Sequence, residues 1–223
     1  MLPSSDVGGG TYRAGTDDGS RPGIVRVTVR NAENLPRYDC ETIGFHEGIP
    51  GHHLQETIAR EQGGKAHPIT RYFWSFAFTE GWGLYSERVA DELGLFSSEL
   101  QRLGMLAWQQ LRAARLVVDT GLHAFGWSRE RAIEYLLAHS PLRLADAESE
   151  VDRYIIYPGQ ATSYMIGMLE IRRLRELAEQ RLGARFDLRQ FHDRVVEDGF
   201  VTLPYLREKV ERWLAGPEAL RPR

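Results

Sequence analysis

Three imidazoles and a carboxylate fall within the eight residues His46-Glu47-Gly48-Ile49-Pro50-Gly51-His52-His53, with a proline and two glycines among them. No other stretch constrains the fold as strongly. The zinc-site helix pattern H-E-x-x-H sets two His one turn apart so that both reach one Zn²⁺, with the Glu beside them as general base. Here the partner of His46 is displaced. On an unbroken helix His52 lies about 240° around the axis from His46. His53 returns to nearly the same face, but roughly 10.5 Å further along. Two nitrogens on one Zn²⁺ cannot be more than roughly 4 Å apart, so a regular helix fails for either histidine. Pro50 lacks a backbone donor and Gly51 tolerates unusual dihedral angles. A bulge, kink or break is therefore expected between Gly48 and His52, bringing His52 or His53 back beside His46. The competing expectation is a polar helix end followed by a turn, with surface histidines.

At 223 residues, 42% apolar and 26% charged, the chain can hold one substantial core with a small appendage. A formal charge of −3 and the lack of any Lys/Arg block argue against a nucleic-acid partner. Cys40 is the single cysteine, which excludes an internal disulfide. No apolar run is long enough to span a bilayer. Met1-Leu2-Pro3-Ser4-Ser5 lacks the basic and apolar regions of a signal peptide, so the default expectation is a cytoplasmic protein.

Residues 1–22, rich in Gly, Ser and Asp, read as a flexible arm. Ile24 to Arg30 alternates, with Val25, Val27 and Val29 on one face of an expected half-buried strand. Such a strand is either plain core or an edge to which an extended peptide adds. A helix is expected from about Glu41, interrupted at Pro50-Gly51 and resuming from His53 to about Glu61, with Gly63-Gly64 ending it. Pro68 suits the first turn of the next helix, whose aromatic run (Tyr72, Phe73, Trp74, Phe76, Phe78) reads as core. Within that run Glu80 is expensive to bury unless it is paired or binds metal. Glu87, seven residues on and nearly on the same face, is either a carboxylate orienting a ligating His or a salt-bridge partner.

From Ser97 the chain reads almost entirely as helices. Ser97 or Ser98 caps a long one with an apolar stripe of Leu100, Leu103, Ala107, Leu111, Ala114 and Val118. Asp119 and His123 form an i,i+4 pair near its end. Ser128 caps the next helix and Ser140-Pro141 breaks it; another opens near Asp146 and runs to Tyr157. Pro158-Gly159 interrupts again before a long helix, Gln160 to Leu182, and two amphipathic helices close the chain at about 187–198 and 204–214. Around the second break Tyr157 and Tyr164 are either packing aromatics or phenols able to donate to a developing oxyanion.

Three ordered motifs now stand together: His46-Glu47-x-x-Pro50-Gly51-His52-His53-Leu54-Gln55, Thr79-Glu80-Gly81-Trp82 through Glu87, and Pro158-Gly159-Gln160-Ala161 through Tyr164. From about Asp18 onward the chain resembles the bacterial family catalogued as domain of unknown function 885, whose members are similar to gluzincin metallopeptidases of the thimet-oligopeptidase type. The resemblance implies a mainly α, zincin-like metallopeptidase domain over residues 23–216, with a short strand or hairpin near the N-terminus and a tail at 217–223. It implies a zinc ion held by His46, His52 and Glu80, and a peptide substrate hydrolysed by water that Glu47 activates as general base. His52 is preferred to His53 because a related dipeptidyl-peptidase family has a one-residue insertion whose Gly-His pair plays this part. Tyr164, or failing it Tyr157, would donate to the oxyanion. His53, Glu87, Gln160, Arg153 and His123 would support the ligands or touch substrate. Family members are longer than this chain, with a helical region before the counterpart of residue 1. That region, or a second copy of the chain, is the expected protein partner. The alternative is a truncated, non-catalytic fragment that binds metal or a partner chain.

Overall fold

The structure, a computed structural model, describes residues 10–16, 18–27, 36–61, 68–71 and 73–216. The expected strand positions Thr28 to Arg30, the helix stop at Gly63-Gly64, Tyr72 and the tail at 217–223 lie outside the described residues. The architecture is mainly helical, with a two-stranded antiparallel hairpin near the N-terminus. Strands β1 (Gly10–Arg13) and β2 (Ile24–Val27) pair with Gly10 opposite Val27 and Tyr12 opposite Val25. β1 thus arises inside the stretch expected to be an arm, which has too few apolar residues for its alternation to be legible. Val25 and Val27 are exposed, so β2 does not bury the face its alternation suggested.

Helices α1 (Cys40–Glu47) and α2 (His52–Glu61) flank the break at Gly48–Gly51. Pro68 opens a separate 3-10 turn, Pro68–Arg71, and α3 (Phe76–Glu92) starts later than its proline signal suggested. Helix α4 (Glu99–Ala124) is capped by Ser98, whose hydroxyl accepts from the Gln101 N–H. Leu111, Ala114 and Val118 of its stripe are buried, whereas Leu100 and Leu103 remain exposed. Ser128 caps α5 (Arg129–His139) in the same way. Then come α6 (Leu144–Ile156), α7 (Gln160–Leu182), α8 (Leu188–Val196) and α9 (Leu203–Ala215).

Two apolar clusters make the core. One packs α3 and α7 against α8 and α9 through Phe78, Trp82, Tyr85, Met168, Ile171, Phe191 and Leu206. The other joins α4, α5, α6 and the start of α7 through Leu111, Val118, Leu136, Val151 and Tyr154. Helices α3 and α7 approach closely because glycines face each other: a Cβ on Gly81 would lie 2.5 Å from the Gly167 Cα, and one on Gly167 would lie 1.7 Å from the Ala77 carbonyl oxygen. Helix α3 runs through the first cluster and turns Glu80 toward α1 and α2. No described helix is long and apolar enough to cross a membrane.

Candidate metal centre

The chain folds back at Gly48–Gly51 because no regular turn can form there. Pro50 stands four residues after His46 and has no N–H to give its carbonyl. The Gly48 N–H bonds to the Gly44 carbonyl, closing α1, and the Gln55 N–H takes the Gly51 carbonyl as α2 begins. A Cβ on Gly51 would lie 1.9 Å from the His46 carbonyl oxygen, so only glycine fits the corner. The Trp82 indole of α3 donates to the Pro50 carbonyl at 3.0 Å, pinning the corner from outside.

This corner sets the His46 and His52 rings edge to face, with centroids 4.7 Å apart. Glu80 Oε2 lies 3.4 Å from His46 Nε2 and 3.5 Å from His52 Nε2. One ligand-type atom from each of His46, His52 and Glu80 falls within 4.8 Å of the others. His46 Nδ1 is held by Glu87 Oε1 at 2.7 Å, which leaves Nε2 turned toward Glu80. The ring fits against α3 only because position 83 is glycine, where a Cβ would come within 2.6 Å of it.

A cavity of about 330 Å³ opens over these groups, lined by β1, by Glu47 and Glu56, and on the far side by Trp108, Arg112, Arg115, Glu150, Arg153 and Tyr164. Glu47, Glu56, Glu80 and Glu87 thus converge on two imidazoles. Burial opposes charge on Glu80, yet its bonds to His46 and His52 outweigh this and hold its carboxyl well below the usual carboxylate range. Burial also opposes charge on His46, but Glu80 and Glu87 raise its pKa to about 9. The carboxylates around His46 favour positive charge beside them, from a proton or a metal ion. Two imidazole nitrogens and one carboxylate, with the outer nitrogen of one ring held by a second carboxylate, suit zinc in donor type, count and support.

The other expected residues divide. Tyr164 lines the cavity and lies face to face with the His46 ring at 6.3 Å. Burial raises its pKa, so it keeps its proton near neutrality. Tyr157 is 49% exposed and packs edge-on against Phe76, away from the cavity. His53 turns outward, its Nδ1 3.0 Å from the Tyr12 hydroxyl. Arg153 lines the cavity and donates to Gln160 Oε1 at 2.6 Å, and Gln160 Nε2 reaches the Tyr164 hydroxyl at 3.4 Å. Asp119 and His123 take different partners: Asp119 accepts from the Gly159 N–H at the second break, and the His123 ring meets the Tyr154 carbonyl.

Sequence reasoning named Arg153 but missed the rest of the wall that α4 and α6 supply. Arg115 donates to Glu150 through Nε and Nη2 and to the Tyr154 hydroxyl, which in turn bonds Glu150. Burial works against the Glu150 carboxylate, but Arg115 and Arg153 bring its pKa down to about 2. The available signal was two arginines three residues apart on the flank of a buried apolar stripe.

No curated protein matches the chain. Among solved structures, "the putative lipoprotein from Colwellia psychrerythraea" is similar at 41% identity and TM-score 0.89 over 96% of this chain, but only 37% of that one. "A putative lipoprotein of unknown function from Shewanella oneidensis" is similar at 25% identity and TM-score 0.75, over 89% of this chain and 38% of that one. The chain spans less than two fifths of either. Both neighbours are described as putative lipoproteins, which points to an exported or membrane-anchored protein and overturns the cytoplasmic default. The profile described as "Bacterial protein of unknown function (DUF885)" matches residues 3–210, and the chain belongs to that family.

Proposed function

We propose that the chain carries the catalytic centre of a zinc-dependent peptidase. The observation that carries this reading is the convergence of His46, His52 and Glu80, with Glu47 beside them in the wall of one cavity. The resemblance of the motifs to thimet-type gluzincins supports the same reading. His46 Nε2, His52 Nε2 and a Glu80 oxygen would hold the ion, and Glu87 would fix the His46 ring. Bound zinc supplies Lewis acidity, polarising a scissile carbonyl and acidifying water. Glu47, on the last turn of α1 and 8% exposed, accepts the proton of the attacking water and returns it to the leaving amine. The Tyr164 hydroxyl donates to the oxyanion as it forms. Likeness to two chains described as lipoproteins supports an exported, membrane-anchored setting.

Glu47→Gln tests the assignment of the base. Zinc content should stay at the wild-type level, while hydrolysis of a mixed peptide library falls at least about 100-fold. Equal cleavage by the variant would contradict it. The other reading, a metal-binding domain that docks a partner chain without catalysis, draws on Leu100, Leu103 and Leu106, exposed together on α4. It predicts stoichiometric zinc without hydrolysis by wild type.

A further inference from the structure

Arg112 and Arg115 sit three residues apart on α4, and both are buried, at 6% and 5% exposed. Their situations differ sharply. Arg115 is fully engaged with Glu150 and Tyr154. The Arg112 Nε is buried without an acceptor, and its Nη1 reaches only the Trp108 carbonyl at 3.4 Å. Among the described residues its one carboxylate within 4.0 Å is Glu87, 3.9 Å from Nη2, and that oxygen already holds His46 at 2.7 Å. Asp39 acts on it electrostatically, but burial governs that carboxyl and Trp108 engages it. At 3.9 Å Glu87 is beyond hydrogen-bond reach, so this buried guanidinium keeps N–H groups without good acceptors, a cost that an arriving anion would offset. Its orientation is nevertheless fixed: the Trp108 ring lies 4.2 Å from the guanidinium carbon and the Tyr164 ring 5.6 Å. Held over these rings, the guanidinium has an unpaired Nε and a weakly engaged Nη2, N–H groups that can receive a carboxylate bidentately.

The same cavity holds Arg112, Arg115 and Arg153 on the α4 and α6 side, with Glu150 as their buried counter-charge, opposite the glutamates of α1, α2 and α3. Glu87 and the Tyr164 ring each contact both Arg112 and His46. We infer that Arg112 anchors a carboxylate of the substrate within the cavity, so that the chain acts on peptides with a negative group close to the scissile bond. This rests on the peptidase reading and adds a substrate class to it. A free C-terminal carboxylate is the first candidate, because it can enter the cavity as the end of a chain. An Asp or Glu side chain offers the same chemistry.

Binding is measured on the zinc-loaded Glu47→Gln protein with three fluorescent peptides of one length: a free acid ending in Ala, its C-terminal amide, and an amide ending in Glu. The free acid or the Glu amide should bind roughly ten- to hundredfold more tightly than the plain amide, and the tighter of the two identifies the carboxylate source. Adding Arg112→Gln should erase that preference and leave plain-amide affinity unchanged; Arg112→Lys should restore part of it, with folding and zinc content checked for both. Equal binding of all three peptides, or a loss in Arg112→Gln that falls equally on acid and amide, would overturn the inference. Absence of hydrolysis by wild type with the acid preference intact would instead sink the peptidase reading.

Discussion

His46 is gripped on both sides of its ring, by Glu87 at Nδ1 and Glu80 at Nε2, and each contact has a separable consequence. Glu87→Ala leaves the three ligand-type atoms in place but frees the ring, so zinc affinity should fall about 10- to 100-fold in chelator competition. Unchanged affinity would remove Glu87 from any supporting role. A second histidine makes a prediction about acid. His192 receives the Tyr85 hydroxyl at 2.8 Å and packs edge-on against Trp82 and Tyr85. Burial, helped by the nearby Arg175 charge, lowers its pKa to about 4. Between that value and the unfolded value of about 6.5 the unfolded chain binds the extra proton, so folding stability is complete above about pH 6.5 and is lost as pH falls toward 4. The loss at this one site should approach about 3 kcal/mol. His192→Gln keeps an acceptor for Tyr85 but cannot titrate, and urea unfolding at pH 7 and pH 4 should show a smaller acid loss than wild type. An identical acid loss would show that His192 does not govern it.

At the scale of the helices, the site depends on how closely α3 can approach its neighbours. Gly167→Ala would add a Cβ 1.7 Å from a backbone oxygen of α3, which cannot swing aside. The helix-propensity gain of about 1 kcal/mol is outweighed, and a net loss of about 1–3 kcal/mol in urea unfolding is expected. No loss would mean that α3 and α7 can separate freely. The helices themselves were mostly legible: Ser98 and Ser128 cap as their sequence signals indicate, and the Pro50-Gly51 and Pro158-Gly159 breaks fall at helix boundaries. The ligand spacing alone required a corner between His46 and His52, and the chain has one there. Strand β1 was not legible, because Gly10-Thr11-Tyr12-Arg13 carries almost no hydrophobic alternation and gains its place from packing on Ile43 and Glu47. Arg112 and Arg115 escaped notice for a related reason. Arg115 meets Glu150 and Tyr154 of α6, and Arg112 faces Glu87 of α3 and Tyr164 of α7, contacts between helices that no local pattern encodes.

Across the whole molecule the candidate centre joins segments remote in sequence: α1 and α2 bring the histidines, α3 brings Glu80 and Glu87, and α4 and α7 close the cavity with Arg112 and Tyr164. A metal bound there ties these helices together only in the folded state, so zinc at about 100 times its dissociation constant should add about 2.7 kcal/mol of stability. For a chain of this size that is a rise in melting temperature of roughly 5–10 °C, reversed by a chelator. An unchanged melting temperature would mean that zinc does not bridge the helices. Elemental analysis of purified wild type, Glu80→Gln and Glu47→Gln, side by side, shows whether His46, His52 and Glu80 hold a zinc ion. About one zinc per chain is expected in wild type and Glu47→Gln and strong depletion in Glu80→Gln, because a neutral amide is a poor zinc ligand. Full zinc in Glu80→Gln, or none in wild type grown with zinc, would contradict it.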